Sequence, residues 1–380
     1  MPEQLAYLDH AATTPLRPEA RAAMLSWLGE RFGNPSGAHR VARTARQAVD
    51  EARDAVAEAV ACQPGDVLFT SGGTEADNLA VRGVHAARPG QVLCSAIEHD
   101  AVLGPVASVG GDTVPVDERG VIDLDALAGV LAPDVTLVSV MAANNEVGTV
   151  QPLPEVAEVV RHLAPAAALH TDAVQAAPWL DLPGLVAGAD LVSLSSHKLG
   201  GPQGVGALVV RRGTPLRAQA LGGGQERELR SGTHNVAGIA GFAAALRATL
   251  ATRDETAARV RGMRDRLARG LVAAVPGTVV TGAGGGPGRL PGCLHLCLPR
   301  VESEALLYLL DEAGVCASAA SACASGAQQA SHVLAAMGVP AERSRGALRL
   351  SLGWTTTEAD VDHALATIPA AVARLQAAAA

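Results

Sequence analysis

Short apolar runs recur along this chain with helical segments between most of them, and this alternation limits the fold more than any other feature. "DVLFT" (66–70) is followed by "QVLCSA", "VTLVSVM", "AAALHTD", "DLVSLSS" and "VGALVV". Each is rich in Val, Leu or Ala and too short to be a helix of its own. Strands that alternate with helices build a mainly parallel sheet covered on both faces. The segment from about 40 to 61, "RVARTARQAVDEARDAVAEAV", repeats apolar residues every three or four positions with acid and base opposite, which predicts an amphipathic helix.

At 380 residues the chain exceeds what one growing core accommodates, so two domains, or one large α/β domain with an appendage, are expected. The character changes after about residue 252. There "RDETAARVRGMRDRLARGLVAAV" reads as a long helix, "GAGGGPGRLPG" as a turn, and a strand–helix–strand–helix series follows, predicting a second, smaller domain. Aromatic residues make up 2% of the chain, so the core must be built from Ala, Val and Leu.

The net charge of −8 is spread out, which argues against a nucleic-acid or membrane surface. "MPEQLAYLDHAATTP" lacks the features of a signal peptide, and no apolar run reaches the roughly 20 residues that span a bilayer. Six cysteines in this length do not suggest a disulfide framework. Cys293 and Cys297 stand without a second pair, so no metal site is expected. A cytoplasmic protein with reduced thiols is the expectation.

The strongest chemical signal is "LVSLSSHKLGGPQGVGALVV", which puts Lys198 in a turn between two buried strands. A desolvated amine has a lowered pKa and becomes a nucleophile able to form a Schiff base; the same turn would equally suit a solvated surface lysine. Gly201, Gly204 and Gly206 do not form a dinucleotide fingerprint, because they lead into a strand rather than open a helix. "HTDAVQAA" sets Asp172 just beyond a strand with Gln175 one turn on. An acid there could keep a pyridine nitrogen protonated, as pyridoxal phosphate needs, or could cap a helix. In "FTSGGTEADN", Gly73 and Thr74 open a helix after a strand, where free amides suit a phosphate. His99 in "IEHDAV" could stack on a flat cofactor or be structural. Asn144, Asn145 and Glu146 read as the polar rim of the same crevice, and Arg349 in "ALRLSLG" needs an anion, either a substrate carboxylate or an internal acid.

Together, and in this order, these segments resemble the cysteine desulfurases, pyridoxal-phosphate enzymes of fold type I related to the class V aminotransferases. The likeness runs through "YLDHAATTP", "GNPSGAHR", "FTSGGTEADNLA", "IEHDAV", "NNEVGTVQP", "HTDAVQ", "SLSSHKLGGPQGVGAL", "GGGQERELRSGTHN", "SACASG" and "ALRLSLG". It implies a large α/β domain over 15–252, with a mainly parallel mixed sheet flanked by helices. It also implies a smaller α/β domain from 1–14 and 253–380, carrying a cysteine loop at about 317–331.

By the same resemblance Lys198 would hold the cofactor covalently and shuttle protons, Asp172 would pair with the ring nitrogen, Gln175 would contact the ring hydroxyl, and His99 would stack on the ring. Gly73, Thr74, Ser195 and His197 would hold the phosphate, with Thr233 reaching over from the partner of a homodimer. Asn145 and Arg349 would hold the carboxylate of L-cysteine, with Asn145 also beside the cofactor, and Asn34 would line the pocket. Cys323 would accept the sulfur, leaving alanine, and pass it to an acceptor protein.

"SACASG" resembles the housekeeping, long-loop type. The chain departs from the pattern at Gln329 and Ala330, where relatives carry Glu-Pro, and at Gln203, where they carry Lys. A selenocysteine lyase, or another reaction of the class V aminotransferases, would share most of these residues, though an ordinary aminotransferase has no use for Cys323. The sulfur's destination stays open among iron–sulfur clusters, thio-modified tRNA, phosphorothioated nucleic acid and other thio-products.

Overall fold

A computed structural model describes residues 5–319 and 331–378. Cys323 and most of the expected cysteine loop lie outside the described residues. A two-residue strand, β1 (Ala6–Tyr7), precedes those of the main sheet: β2 (Val67–Thr70), β3 (Gln91–Ser95), β4 (Asp112–Val114), β5 (Val135–Ser139), β6 (Ala168–Asp172), β7 (Leu191–Ser195) and β8 (Gly206–Val210). Then come β9 (Val279–Val280), β10 (Cys293–Cys297), β11 (Val315–Cys316) and β12 (Ala347–Ser351). The helices are α1 (Pro18–Leu28), α2 (Arg40–Val60), α3 (Gly73–Ala87), α4 (Asp100–Ser108), α5 (Leu124–Val130), α6 (Leu153–Leu163), α7 (Leu182–Leu185) and α8 (Val236–Ala274). Nearer the carboxyl end are α9 (Ser303–Glu312), α10 (His332–Ala336), α11 (Ala341–Ser344) and α12 (Glu358–Ala378).

The fold is α/β. The main sheet runs β2-β8-β7-β6-β5-β3-β4. β8 is antiparallel to both its neighbours and every other pair is parallel. The exception has a simple cause: only residues 196–205 separate β7 from β8. That is too short for a crossover helix, so the chain turns straight back. β5, β6, β7 and β8 are buried at every position, as a sheet covered on both faces requires. On α2 the buried residues Ala42, Ala45, Val49, Ala52, Val56 and Ala59 follow the predicted helical spacing.

The helical stretch read from residue 253 is the second half of something longer. α8 runs unbroken for 39 residues across that point. Its first half gives Ile239, Phe242 and Leu246 to the core around the main sheet. Its second half gives Val260, Met263, Leu267 and Leu271 to another core, shared with Leu8, Leu294, Leu350 and Ile368. The change of character near 252 is a change of packing partner along one helix. β12, β10 and β9 form the antiparallel sheet of this second core, and β1 pairs with β11 beside it.

Glu226 ties the Gly-rich segment after β8 to the sheet. Its carboxylate accepts from Arg53 Nη1 (2.9 Å) and Nη2 (2.7 Å), from His234 Nε2 (2.6 Å) and from the Phe69 amide (2.9 Å). These donors outweigh the burial penalty and hold the carboxyl down at about 2. A carboxylate depressed in the folded state stabilises above its unfolded pKa of about 4.3, and that contribution is lost as pH falls toward 2. Glu226→Ala is expected to cost about 2 kcal/mol, because it takes the carboxylate from the half-buried Arg53 and from the Phe69 amide. Urea unfolding at neutral pH checks this, and the cost should shrink in acid.

Candidate active site

The carboxyl ends of β3, β5, β6 and β7 meet around a cavity of about 480 Å³, where an open α/β sheet places a ligand. Lys198 follows β7 on a 3-10 turn and points into it. Its Nζ donates to the carbonyls of Ala11 and Ala12, brought over by the segment after β1; the Ala12 bond is 2.7 Å. Gln175 Nε2 donates to the same Ala11 carbonyl at 2.9 Å. Burial, helped by the charge of Arg349, pulls the Lys198 amine down to about 8, against the opposing pull of Asp172 and Asp9. The lysine is partly buried rather than a solvated surface residue.

Asp172 ends β6 on the cavity floor, 6% exposed. Its Oδ1 accepts from the Val174 amide at 2.8 Å, closing a turn rather than capping a helix. Burial raises its pKa, while His99 and Lys198 pull it back. His99 also lines the cavity, and its Nδ1 accepts from the Ala101 amide (3.0 Å) as the N-cap of α4. Nδ1 is therefore unprotonated and the N–H is on Nε2.

At the other end of the cavity α3 begins at Gly73 with no side-chain cap, so its first amides are open to an anion. Gly73 is required there: a Cβ would come within 2.9 Å of Val174 Cγ2. Thr74, Ser195 and His197 line the same end. His197 Nδ1 meets Thr13 Oγ1 at 3.1 Å, and burial together with Lys198 lowers its pKa to about 4, so the imidazole is neutral.

Arg349 resolves one alternative that its sequence left open. Its Nη2 donates to Asp9 Oδ1 (2.8 Å) and its Nη1 to the Asn145 carbonyl (3.0 Å). It has an internal acid, yet the side chain also lines the cavity. A guanidinium fixed on the wall of the cavity can still meet a carboxylate.

Not every expected residue gathers here. Asn145 lines the cavity, but Asn144 and Glu146 do not form a rim. Asn144 is fully buried and holds its own turn, accepting from the Glu146 and Val147 amides. Glu146 is buried and accepts from Ser331 Oγ at 2.6 Å. Asn34 and Thr233 are exposed and neither lines the cavity of its own chain. Cys323 lies outside the described residues; Ser318, close before it in sequence, lines the cavity.

Two residues with no role assigned from sequence belong here as well. Asp9 is the acid that holds Arg349, and its partner lies 340 positions away. Asp77, on the buried face of α3, lines the cavity floor. Its signal was a carboxylate at helical spacing among Ala76, Leu79, Ala80 and Val84.

A lysine amine, a buried acid and an uncapped helix start share one cavity, and the family model for "Aminotransferase class-V" matches residues 6–364. The chain belongs to this family. Class V aminotransferases are pyridoxal-phosphate enzymes. Within the family, the chain is 43% identical over 389 residues to an "IscS-like cysteine desulfurase" of Mycobacterium tuberculosis, covering 99% of this chain and 98% of that one. It is 44% identical over 381 residues to a "Cysteine desulfurase" of Cereibacter sphaeroides, covering 98% and 96%. A solved "NIFS-LIKE PROTEIN" superposes with a TM-score of 0.90 at 35% identity, covering 98% of this chain and all of that one. No helix among the described residues is long and apolar enough to cross a membrane.

Proposed function

We propose that this chain is a pyridoxal-phosphate cysteine desulfurase: it takes sulfur from L-cysteine, releases L-alanine and carries the sulfur as a persulfide on Cys323. The observation that carries the reading is the convergence of Lys198, Asp172, the uncapped Gly73–Thr74 helix start and Arg349 on one cavity. The relatives' names point the same way.

The residues present fit the cofactor. The amides at Gly73 and Thr74 would hold its phosphate with Ser195 and neutral His197, and Thr233 of a second copy of the chain would complete that site. Asp172 would keep the ring nitrogen protonated, Gln175 would meet the ring hydroxyl and His99 would lie against the ring. Pyridoxal phosphate, when bound, supplies an aldehyde for an amine to capture and an electron sink. Lys198, with its amine pulled to about 8, is roughly one-tenth free base at pH 7, against less than one part in a thousand for an ordinary lysine, so it can both capture that aldehyde and move protons at the substrate carbon. Arg349 and Asn145 would fix the carboxylate of cysteine. The Cys323 thiolate then attacks the substrate sulfur: an S–S bond forms, the C–S bond breaks, its electron pair stays with the carbon fragment, and protonation there gives alanine. The persulfide passes to an acceptor protein.

Cys323→Ala is expected to retain the cofactor's absorbance and lose alanine formation from cysteine by about 10²-fold or more. Alanine is counted after loading the full chain with pyridoxal phosphate. Full turnover by this variant would favour a lyase that never forms an enzyme persulfide.

A further inference from the structure

Beneath the cavity lie three carboxyl groups where the chemistry asks for one. Asp172 is joined by Asp77, 1% exposed, and by Glu98, fully buried in the turn after β3. Among the described residues Asp77 Oδ1 has no hydrogen-bond partner, although Ser193 bonds the carboxyl group and opposes its rise, and His170 Nε2 lies 3.5 Å from Oδ1. His170 lies two residues before Asp172 on β6, so both project from the same face of the strand. Its ring is held between Ser139 Oγ (2.8 Å) and Ser193 Oγ (3.0 Å), and burial lowers its pKa to about 3, so it brings no positive charge. Glu98 Oε1 accepts from the Met141 amide at 2.5 Å while Oε2 has no partner among the described residues.

No Lys or Arg among the described residues forms an ion pair with any of the three acids. The other titratable groups that face them are Cys94 beside Glu98, and His99 and Lys198 beside Asp172. His332 approaches only the Glu98 carbonyl.

Three carboxyl groups buried together, with a lysine amine beside Asp172 and no ion-paired Lys or Arg among the described residues, cannot all ionise. The question is which one keeps the charge. Asp172 faces the Lys198 amine and His99 and receives a backbone N–H. Asp77 and Glu98 are raised well above the usual carboxylate range, by burial first and then by the charge of Asp172.

We propose that Asp77 and Glu98 stand as neutral carboxylic acids, positioning residues that confine the site's one negative charge to Asp172. The arrangement keeps that charge at the one place where a protonated ring nitrogen would meet it. A second or third charge would spread the attraction and raise the cost of burying all of them. This use of the charge rests on the cofactor reading, but the protonation states can be measured on the chain by itself, so either can fail without the other.

Infrared spectroscopy of the full chain at neutral pH, before and after hydrogen–deuterium exchange, tests the proposal. The C=O stretch of buried, protonated carboxylic acids is expected in the wild type, weakened by Asp77→Asn and by Glu98→Gln and unchanged in Asp172→Asn. If no such band is present, or if it survives both substitutions, the proposal is overturned; the wild-type spectrum decides even if a variant fails to fold. The second readout is stability against pH. A carboxyl raised in the folded state holds a proton that the unfolded chain has released above about pH 4, so stability falls as pH rises. Between about pH 5 and 7, removing one such proton should change the ratio of variant to wild-type unfolding constants tenfold per pH unit. Parallel pH dependence of wild type and both amide variants would mean the acids were already ionised. Pyridoxal phosphate binding is expected to hold within about threefold for Asp77→Asn and Glu98→Gln and to fall at least tenfold for Asp172→Asn, one lost charged hydrogen bond; equal losses in all three would contradict a single charge at Asp172.

Discussion

Lys198→Ala is expected to lower alanine formation from cysteine by about 10³-fold or more, because one side chain both captures the aldehyde and moves the proton. The fold should persist, since among the described residues Nζ donates only to two carbonyls of the 9–14 segment. The pH dependence follows from the amine's depressed pKa. Below about 8 the folded protein holds Lys198 protonated, and each further unit of acid cuts the free amine tenfold. Capture of pyridoxal phosphate by the cofactor-free chain should therefore accelerate tenfold per pH unit up to about 8 and level off above it. Stability has its own sign. Between about 8 and the ordinary lysine value, the unfolded chain binds a proton that the folded chain has released, so this contribution rises with pH across that window. Stopped-flow absorbance follows the capture, and urea unfolding of wild type against Lys198→Ala isolates the stability term.

Asp172→Asn should produce the second large loss. The amide keeps the shape and the bond from Val174 but loses the charge that would hold a ring nitrogen protonated. Turnover is expected to drop by about 10²-fold or more, a transition-state loss of roughly 3 kcal/mol. The protein should be no less stable, because the substitution removes a buried charge with no ion-pair partner among the described residues. A variant that lost stability in step with activity would assign Asp172 a structural role instead.

Local sequence pattern encodes much of this arrangement. The runs ending at Ser95, Ser139, Asp172 and Ser195 are strands because each is a short apolar stretch bounded by turns, and their carboxyl ends define the cavity. Lys198, Asp172 and Gly73 were legible for the same reason: each sits where a strand gives way to a turn or helix. What stayed hidden depends on contacts between distant segments. The acceptors of Lys198 lie 187 and 186 positions away, and Asp9 meets Arg349 across 340. No local periodicity encodes such pairings. α8 shows a different limit: "RDET" looks like a helix start, but the helix simply exchanges one core for another there. Asn144 shows a third, since a polar pair after a strand suggests a rim, whereas backbone amides claim one member of the pair for the turn.

The most direct measurement is mass spectrometry of the cofactor-loaded chain after brief exposure to L-cysteine. One added sulfur atom is expected on the peptide that contains Cys323, removable by reductant and matched by one alanine released. Alanine formed while the Cys323 peptide stays unmodified, with the Cys323→Ala variant turning over at the wild-type rate, would contradict sulfur transfer to this thiol.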